Sequence, residues 1–281
     1  MLNDTVYLEA GGYRNMPLKM RRALNVPCSQ TDMYVNARQQ LDALNPFNNP
    51  PYYPWYGPQG LCASDSMAGF APYWRVAIEP NWGDHSLMVG AFGFLPRVYP
   101  GSATQFGADR YRDIGFDMQY QYITDLHAVS LKLSHIVEHQ TLQSTFGQGV
   151  WANALGMPPL TTNGGSSNLT NTLTSFRATA QYVWDRTVMG SVSYFNVYGS
   201  NDAVIYGSSL TGSPNGKGLT FEIGYMPFMK GGPALWPWAN ARIGLQYTHY
   251  LQMYGGNTNF DGAFHNAKDN NTLLLYTWIA F

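Results

Sequence analysis

The sequence predicts an all-β protein, an antiparallel transmembrane β-barrel in which about ten strands are joined by turns and long loops. Three observations indicate this class. Apolar and polar residues alternate at every second position, connections alternate between short and long, and the chain combines few charges with many aromatic residues. At 281 residues the chain is long enough for one barrel, and we expect a single domain over residues 1–281.

The alternation is clearest between residues 109 and 123. Apolar or aromatic side chains occupy every even position from Ile114 to Tyr122, and polar or small ones occupy every odd position from Asp113 to Gln121. Successive side chains of a strand point to opposite faces, so this strand has one apolar and one polar face.

Ten segments show this alternation, and their spacing predicts the topology. They cover 4–14, 72–80, 85–98, 109–123, 126–142, 169–185, 187–199, 218–228, 239–254 and 270–281. Long connections alternate with short ones, and the longest, 15–71, is expected to be an extracellular loop. This alternation is typical of outer-membrane barrels, which have short periplasmic turns and long extracellular loops.

Composition narrows the class of protein. There are 17 acidic and 16 basic residues, a net charge of -1, which disfavours a nucleic-acid partner. Charged residues make up 12%, about half the share in soluble domains, and aromatic residues make up 15%. No apolar run reaches the ~18 residues of a membrane-spanning helix. A soluble β-protein fits the composition alone equally well. The repeated alternation, together with turns of alternating length, favours a barrel in contact with lipid.

The positions of aromatic residues and the C-terminal segment also favour the bacterial outer membrane. Leu273, Leu275, Ile279 and Phe281 share one strand face, a pattern similar to the signal read by the barrel-insertion machinery of that membrane. Aromatic residues near predicted strand ends would form the girdles of such barrels; they are Trp74, Trp82, Tyr122, Trp184, Tyr198, Trp236, Trp238 and Tyr247.

Two cysteines, Cys28 and Cys62, lie in the long segment 15–71. In an oxidising compartment we expect them to form a disulfide, which would contribute about 3–4 kcal/mol in the chain-entropy model. Two free thiols are the alternative. Neither cysteine belongs to a CxxC or CxxCH motif, so metal binding and covalent haem attachment are not expected at these residues.

If the apolar face points to lipid, a set of charged residues lines the lumen. Both signs are present, so the set would form ion pairs that fill a narrow lumen or line a water-filled path with weak ion selectivity. The predicted lumen-lining residues are Glu9, Arg75, Glu79, Asp113, Asp117, Lys132, Glu138, Arg177, Glu222 and Arg242.

No catalytic motif supports an enzyme. His135 and His139 share a strand face that is expected to be the outer one, which disfavours a zinc site, and the pair Asp84–His85 falls in a short turn. There is no GxSxG, P-loop or HExxH motif. We therefore expect no catalytic, cofactor-binding or metal-binding residues. The alternative functions are a barrel enzyme, such as an omptin-like protease or a lipid-modifying enzyme, and a surface adhesin built on the long loops.

Several segments resemble the barrel of the fused cytochrome–porin proteins of Gram-negative bacteria. They are 3–14, 71–75, 81–86, 113–117, 259–262 and 266–273. In that family a short monohaem segment with a CxxCH motif precedes the barrel, and the implied role is electron transfer across the outer membrane.

The resemblance implies that this chain is the C-terminal barrel part, a conduit or sheath whose partner is a periplasmic or fused cytochrome. A signal peptide, the haem segment and several strands would then lie upstream of Met1. The chain departs from the family in lacking CxxCH, so no haem-binding residue carries over and no cofactor is expected within this chain.

Overall fold

The computed structural model describes residues 5–15, 66–100, 106–147, 165–232, 238 and 240–280. They form thirteen β-strands in one antiparallel sheet. The strands are β1 (Val6–Tyr13), β2 (Ser66–Met67), β3 (Ala71–Ile78), β4 (Asn81–Trp82), β5 (His85–Phe94), β6 (Arg97–Tyr99), β7 (Asp109–Ile123), β8 (His127–Thr141), β9 (Thr170–Trp184), β10 (Val188–Gly199), β11 (Gly216–Tyr225), β12 (Asn240–Gln252) and β13 (Thr272–Ala280).

The all-β antiparallel architecture is confirmed, but the predicted count of about ten strands is corrected to thirteen. Ten long strands follow one another across the sheet in the order β1-β3-β5-β7-β8-β9-β10-β11-β12-β13, and β2, β4 and β6 are additional strands of two or three residues. The predicted strand 85–98 is divided into β5 and β6 around Pro96, because proline has no backbone N–H for the ladder.

The sheet has two open edges. β1 pairs with β3 alone and β13 pairs with β12 alone, and no ladder joins β1 to β13 within the described residues. The predicted closure into a barrel is therefore not formed between these two strands. β1 begins and β13 ends at the same end of the sheet, so the two edge strands run in opposite directions.

The sheet has an apolar face and a polar face, defined by the two rows of β7. Paired residues of neighbouring strands point to the same side, so the register extends each face from strand to strand. Phe116 lies opposite His135 and Ala91 on the apolar face, and Asp117 lies opposite Ser134 and Gly90 on the polar face.

Apolar side chains of the apolar face are exposed rather than packed in a core: Phe116 is 57%, Ile223 65% and Leu275 73% exposed. Among the described residues, few apolar side chains are buried, and most of those are small or lie in the connections. They are Ala71, Ala77, Ala108, Leu142, Met189, Phe260 and Ala267.

The two ends of the sheet differ. At the turn end, β7 and β8 are joined by residues 124–126 and β9 and β10 by residues 185–187. Asp185 and Arg186 both have positive φ, of 50° and 57°, as in a type I′ turn. At the loop end β8 ends and β9 begins, and the connections 200–215 and 253–271 lie there. The last of these contains a 3-10 helix, Ala267–Asn270.

Four pairs of neighbouring strands are offset at the turn end, and every offset has the same sense. The row of paired residues that starts at Val6, at the turn end of β1, reaches His249 on β12. The position opposite His249 would be one residue before β13, which begins at Thr272. The stagger across the sheet thus equals the whole length of β13, nine residues. Residues are about 3.3 Å apart along a strand and neighbouring strands are about 4.8 Å apart. The strands are therefore inclined by about 35° to the perpendicular of the line that joins their turn ends.

None of the helices within the described residues is long and apolar enough to cross a membrane. Cys28 and Cys62 lie outside the described residues, so their disulfide stays a prediction.

Candidate functional site: the charged side chains of the polar face

The structure brings the sequence-predicted charged set to one side of the sheet. Nine of the ten residues belong to strands, and the register places all nine on the polar face. They are Glu9, Arg75, Asp113, Asp117, Lys132, Glu138, Arg177, Glu222 and Arg242. Glu79 follows β3, and its backbone N–H donates to the Thr5 carbonyl. That this face lines a lumen stays a prediction.

The first cluster on this face is an ion pair between β3 and β7. The Arg75 guanidinium donates to Asp117 Oδ2 at 2.7 Å, and both side chains are about one-fifth exposed. The guanidinium carbon also lies 5.8 Å from the centre of the Phe92 ring. Glu9 is paired with Arg75 in register and accepts a hydrogen bond from Tyr7. The aromatic contact and the hydrogen bond hold this arginine side chain against the polar face of the sheet.

The second cluster connects β11, β12 and β13. Glu222 accepts hydrogen bonds from the Arg242 guanidinium and from the Tyr276 hydroxyl. The same guanidinium lies 5.7 Å from the centre of the Tyr276 ring and 3.1 Å from Met189 Sδ. As in the first cluster, an arginine is neutralised by a carboxylate and held against an aromatic ring.

Two carboxylates face each other nearer the loop end. Asp113 and Glu138 are directly opposite across β7 and β8, and the Gln140 side chain donates a hydrogen bond to Glu138. Like charges directly opposite destabilise a sheet. This position therefore concentrates negative charge at the loop-end side of the polar face.

Two cations of the polar face are not neutralised. Lys132 lies opposite Thr179, and Arg177 lies opposite Ser134 in the adjacent row, so the two basic side chains are diagonal neighbours. Both are exposed, and neither forms an ion pair with another described residue. The surrounding wall is neutral and polar: Thr179 and Ser193 share a hydrogen bond of 2.8 Å.

A buried aspartate orders the loop end, and sequence reasoning missed it. Asp202 is fully buried and accepts hydrogen bonds from the Ser166 hydroxyl, the Asn171 amide and the backbone N–H groups of Ser167, Val204 and Ile205. Burial alone would raise the pKa of this carboxyl. The hydrogen bonds outweigh it, and they hold the pKa well below its ordinary value.

A second buried aspartate has a similar role at the start of β7. Asp109 Oδ1 accepts from the backbone N–H groups of Ser144 and Thr145, and Oδ2 accepts from the Thr145 hydroxyl. These donors begin the short helical segment 143–147. A carboxylate satisfies the free N–H groups of a helix start, so Asp109 caps this segment from a neighbouring strand.

The histidine side chains contact neighbouring polar or aromatic residues within the described ranges, and His265 Nδ1 is hydrogen-bonded to Asp261 Oδ2. His85 Nδ1 lies 2.8 Å from the Tyr120 hydroxyl and the ring stacks on Trp82, while no contact with Asp84 is formed by the side chain. His135 and His139 lie on the apolar face, as expected. Within the described ranges, no cluster of three or more His, Cys, Asp or Glu side chains could hold a metal ion.

Comparisons of the chain with protein-family models, with curated proteins and with solved structures found no match.

Proposed function

We propose that this chain forms the wall of a β-barrel in a bacterial outer membrane and serves as a porin-like conduit or sheath. One observation carries the proposal: the sheet has a broad, exposed apolar face opposite a charged polar face. Soluble monomers rarely expose contiguous apolar patches larger than about 300–600 Å². Here exposed apolar side chains continue across ten strands, from Leu8 on β1 to Leu273, Leu275 and Ile279 on β13.

The inclination of the strands fits a bilayer. The slope of about 35° lies at the lower limit of the ~35–45° tilt of transmembrane barrel strands. On β10, Val188 lies opposite Trp184 near the turn end and Tyr198 lies near the loop end. The ten residue steps from Val188 to Tyr198 span about 33 Å along the strand and about 27 Å along the membrane normal at this slope. An apolar band about 25 Å tall between aromatic girdles is what such barrels present to lipid.

The proposal requires that the open edges be paired in the membrane, because an open sheet edge cannot lie in lipid. β1 and β13 run in opposite directions and carry their apolar residues on the same face, so they can pair with each other or with further strands. Five described side chains of the aromatic set lie on the apolar face: Tyr122, Trp184 and Tyr198 are near strand ends, and Trp74 and Tyr247 are nearer the middle of β3 and β12.

The resemblance to cytochrome–porins extends the proposal to electron transfer. In that version this chain is the sheath, and the haem belongs to a periplasmic or fused cytochrome that the polar face surrounds. Within this chain, the charged clusters of the polar face would contact that partner.

Planar-bilayer recording tests the conduit. We expect the purified, refolded chain to insert into vesicles and to form stable channels of small conductance, because arginine and aromatic side chains occupy part of the polar face. Insertion without conductance would favour the sheath over the conduit. A chain that refolds as a monodisperse soluble protein and does not float with vesicles would contradict the membrane location itself.

Charge neutralisation tests which residues select the ions. Arg75 and Arg242 are paired with carboxylates, so Lys132 and Arg177 are the cations left to attract anions, and they act against Glu9, Asp113 and Glu138, which form no ion pair with a described residue. In Lys132→Gln/Arg177→Gln channels the anion-to-cation permeability ratio should fall about two- to threefold. The reversal potential in a KCl gradient measures this ratio.

Lys217→Gln is the matched control, because Lys217 lies on the apolar face and its loss removes the same kind of charge. An equal change per charge removed in the two variants would show that total charge, rather than position on the polar face, sets selectivity.

A further inference from the structure

A group of basic side chains lies on the apolar face at the loop end. Arg97 on β6 is directly opposite Arg110 on β7, and Arg112, two residues further along β7, is directly opposite His139 on β8. Cross-strand partners have Cβ atoms about 5 Å apart, and alternate residues of a strand are about 7 Å apart. Arg97, Arg110 and Arg112, here called the arginine cluster, therefore form one compact patch.

The arginine cluster borders the exposed apolar residues of the same face. Along β7, Arg112 is followed on this face by Ile114 and Phe116, which are 39% and 57% exposed. A cationic side chain next to exposed apolar side chains can contact a lipid at both its headgroup and its acyl chains.

Among the described residues, no carboxylate balances this charge. All three arginines are exposed, and none forms an ion pair with another described residue. The acidic residues of the described strands lie on the opposite, polar face; they are Glu9, Asp109, Asp113, Asp117, Glu138 and Glu222. At the turn end, by contrast, Arg186 is paired with Asp125 at 3.3 Å and Lys230 is paired with Asp185.

Arg97 and Arg110 repel each other, because like charges directly opposite in a sheet are destabilising and arginine cannot lose its proton. A bound anion removes this cost. Guanidinium groups bind phosphate oxygens through paired hydrogen bonds, and a phosphate held here would place attached acyl chains beside Ile114 and Phe116.

We infer that the arginine cluster binds the phosphorylated headgroup of an anionic lipid at the loop-end surface of the membrane. The inference rests on the proposed membrane location. It adds a lipid-binding site on the side of the sheet opposite to the candidate conduit.

The test uses the full chain in detergent micelles, with lipid A, a glycolipid that carries two phosphates, as the probe. Each basic residue near an anionic surface contributes about a fivefold factor, so Arg110→Gln/Arg112→Gln should bind lipid A about 30-fold more weakly. Native mass spectrometry across a lipid titration measures the bound fraction. Arg186→Gln, at the turn end, is the matched control and should bind like the unmodified protein.

Two further arms distinguish the sources of phosphate and the two proposals. Inorganic phosphate should not displace lipid A at millimolar concentration; full displacement would show a free-anion site and overturn the lipid assignment. Vesicle flotation is measured on the same variants. Normal insertion of the double variant with unchanged lipid A binding would overturn the lipid site alone, whereas failure of the unmodified protein to insert would overturn the membrane location and the lipid site with it.

Discussion

Replacing Leu245 by arginine should destabilise the chain in a bilayer. Leu245 lies near the middle of β12, on the apolar face opposite Ile223 and Leu275, and it is 45% exposed. Arginine at the bilayer midplane on a lipid-facing strand costs about 2–4 kcal/mol. The folded fraction in a urea titration with vesicles measures the effect, and its midpoint should shift to lower urea.

The neighbouring residue supplies the control. Gln246 is next to Leu245 in the chain but lies on the polar face opposite Glu222, so Gln246→Arg places the same side chain beside a carboxylate. We expect that variant to insert like the unmodified protein. Equal losses for the two variants would show that the two faces do not differ in environment, and the lipid-facing assignment would be wrong.

Replacing Asp202 by asparagine should release the loop-end connections while the strands stay paired. The carboxylate is fully buried and accepts hydrogen bonds from residues before β9 and after β10. Hydrogen bonds to a buried charged group contribute about 1.5–3 kcal/mol each, and because they are not additive we expect a local loss of about 2–4 kcal/mol. Hydrogen exchange should accelerate at residues 165–171 and 200–212 and should be unchanged in the middle of β9.

The pH dependence follows from the direction of the pKa shift. The pKa of Asp202 is lowered in the folded state, so its stabilisation is complete above the unfolded value of about 3.9 and is lost as the pH falls below it. Loop protection in the unmodified protein should therefore decrease in acid, and Asp202→Asn should remove that dependence. Asp125→Asn, at a fully exposed turn carboxylate, should change neither property.

The strands could be predicted because alternation is a local signal. The limits of the ten long strands differ from the predicted ones by three residues or fewer at most ends. They agree because the alternation that indicates a strand lies within that strand's own residues. The break in the third predicted segment, 85–98, is not predicted although Pro96 is visible in the sequence. Periodicity continues across Leu95 and Pro96, and only the absent backbone N–H ends the ladder there.

The clusters of the polar face could be predicted only as a set. The odd or even position of a residue in its strand assigns it to one face, so Arg75 and Asp117 both belong to the predicted set. They are 42 positions apart, however, and their pairing depends on a register that no single strand encodes. Asp202 was missed for a different reason. It lies in a connection without periodicity, and five donors converge on it only after β9 and β10 have brought their ends together.

On the polar face, two glycines lie opposite large aromatic rings. Gly115 is opposite Phe92, and Gly244 is opposite Tyr276; a Cβ atom at either glycine would collide with the ring. Each ring therefore lies flat along the backbone of the neighbouring strand instead of standing upright from its own. In a closed barrel, the aperture would depend on these small–large pairs as well as on the number of strands. Gly115→Ala would lift the Phe92 ring from the wall and narrow the aperture at one level, with every ladder hydrogen bond intact.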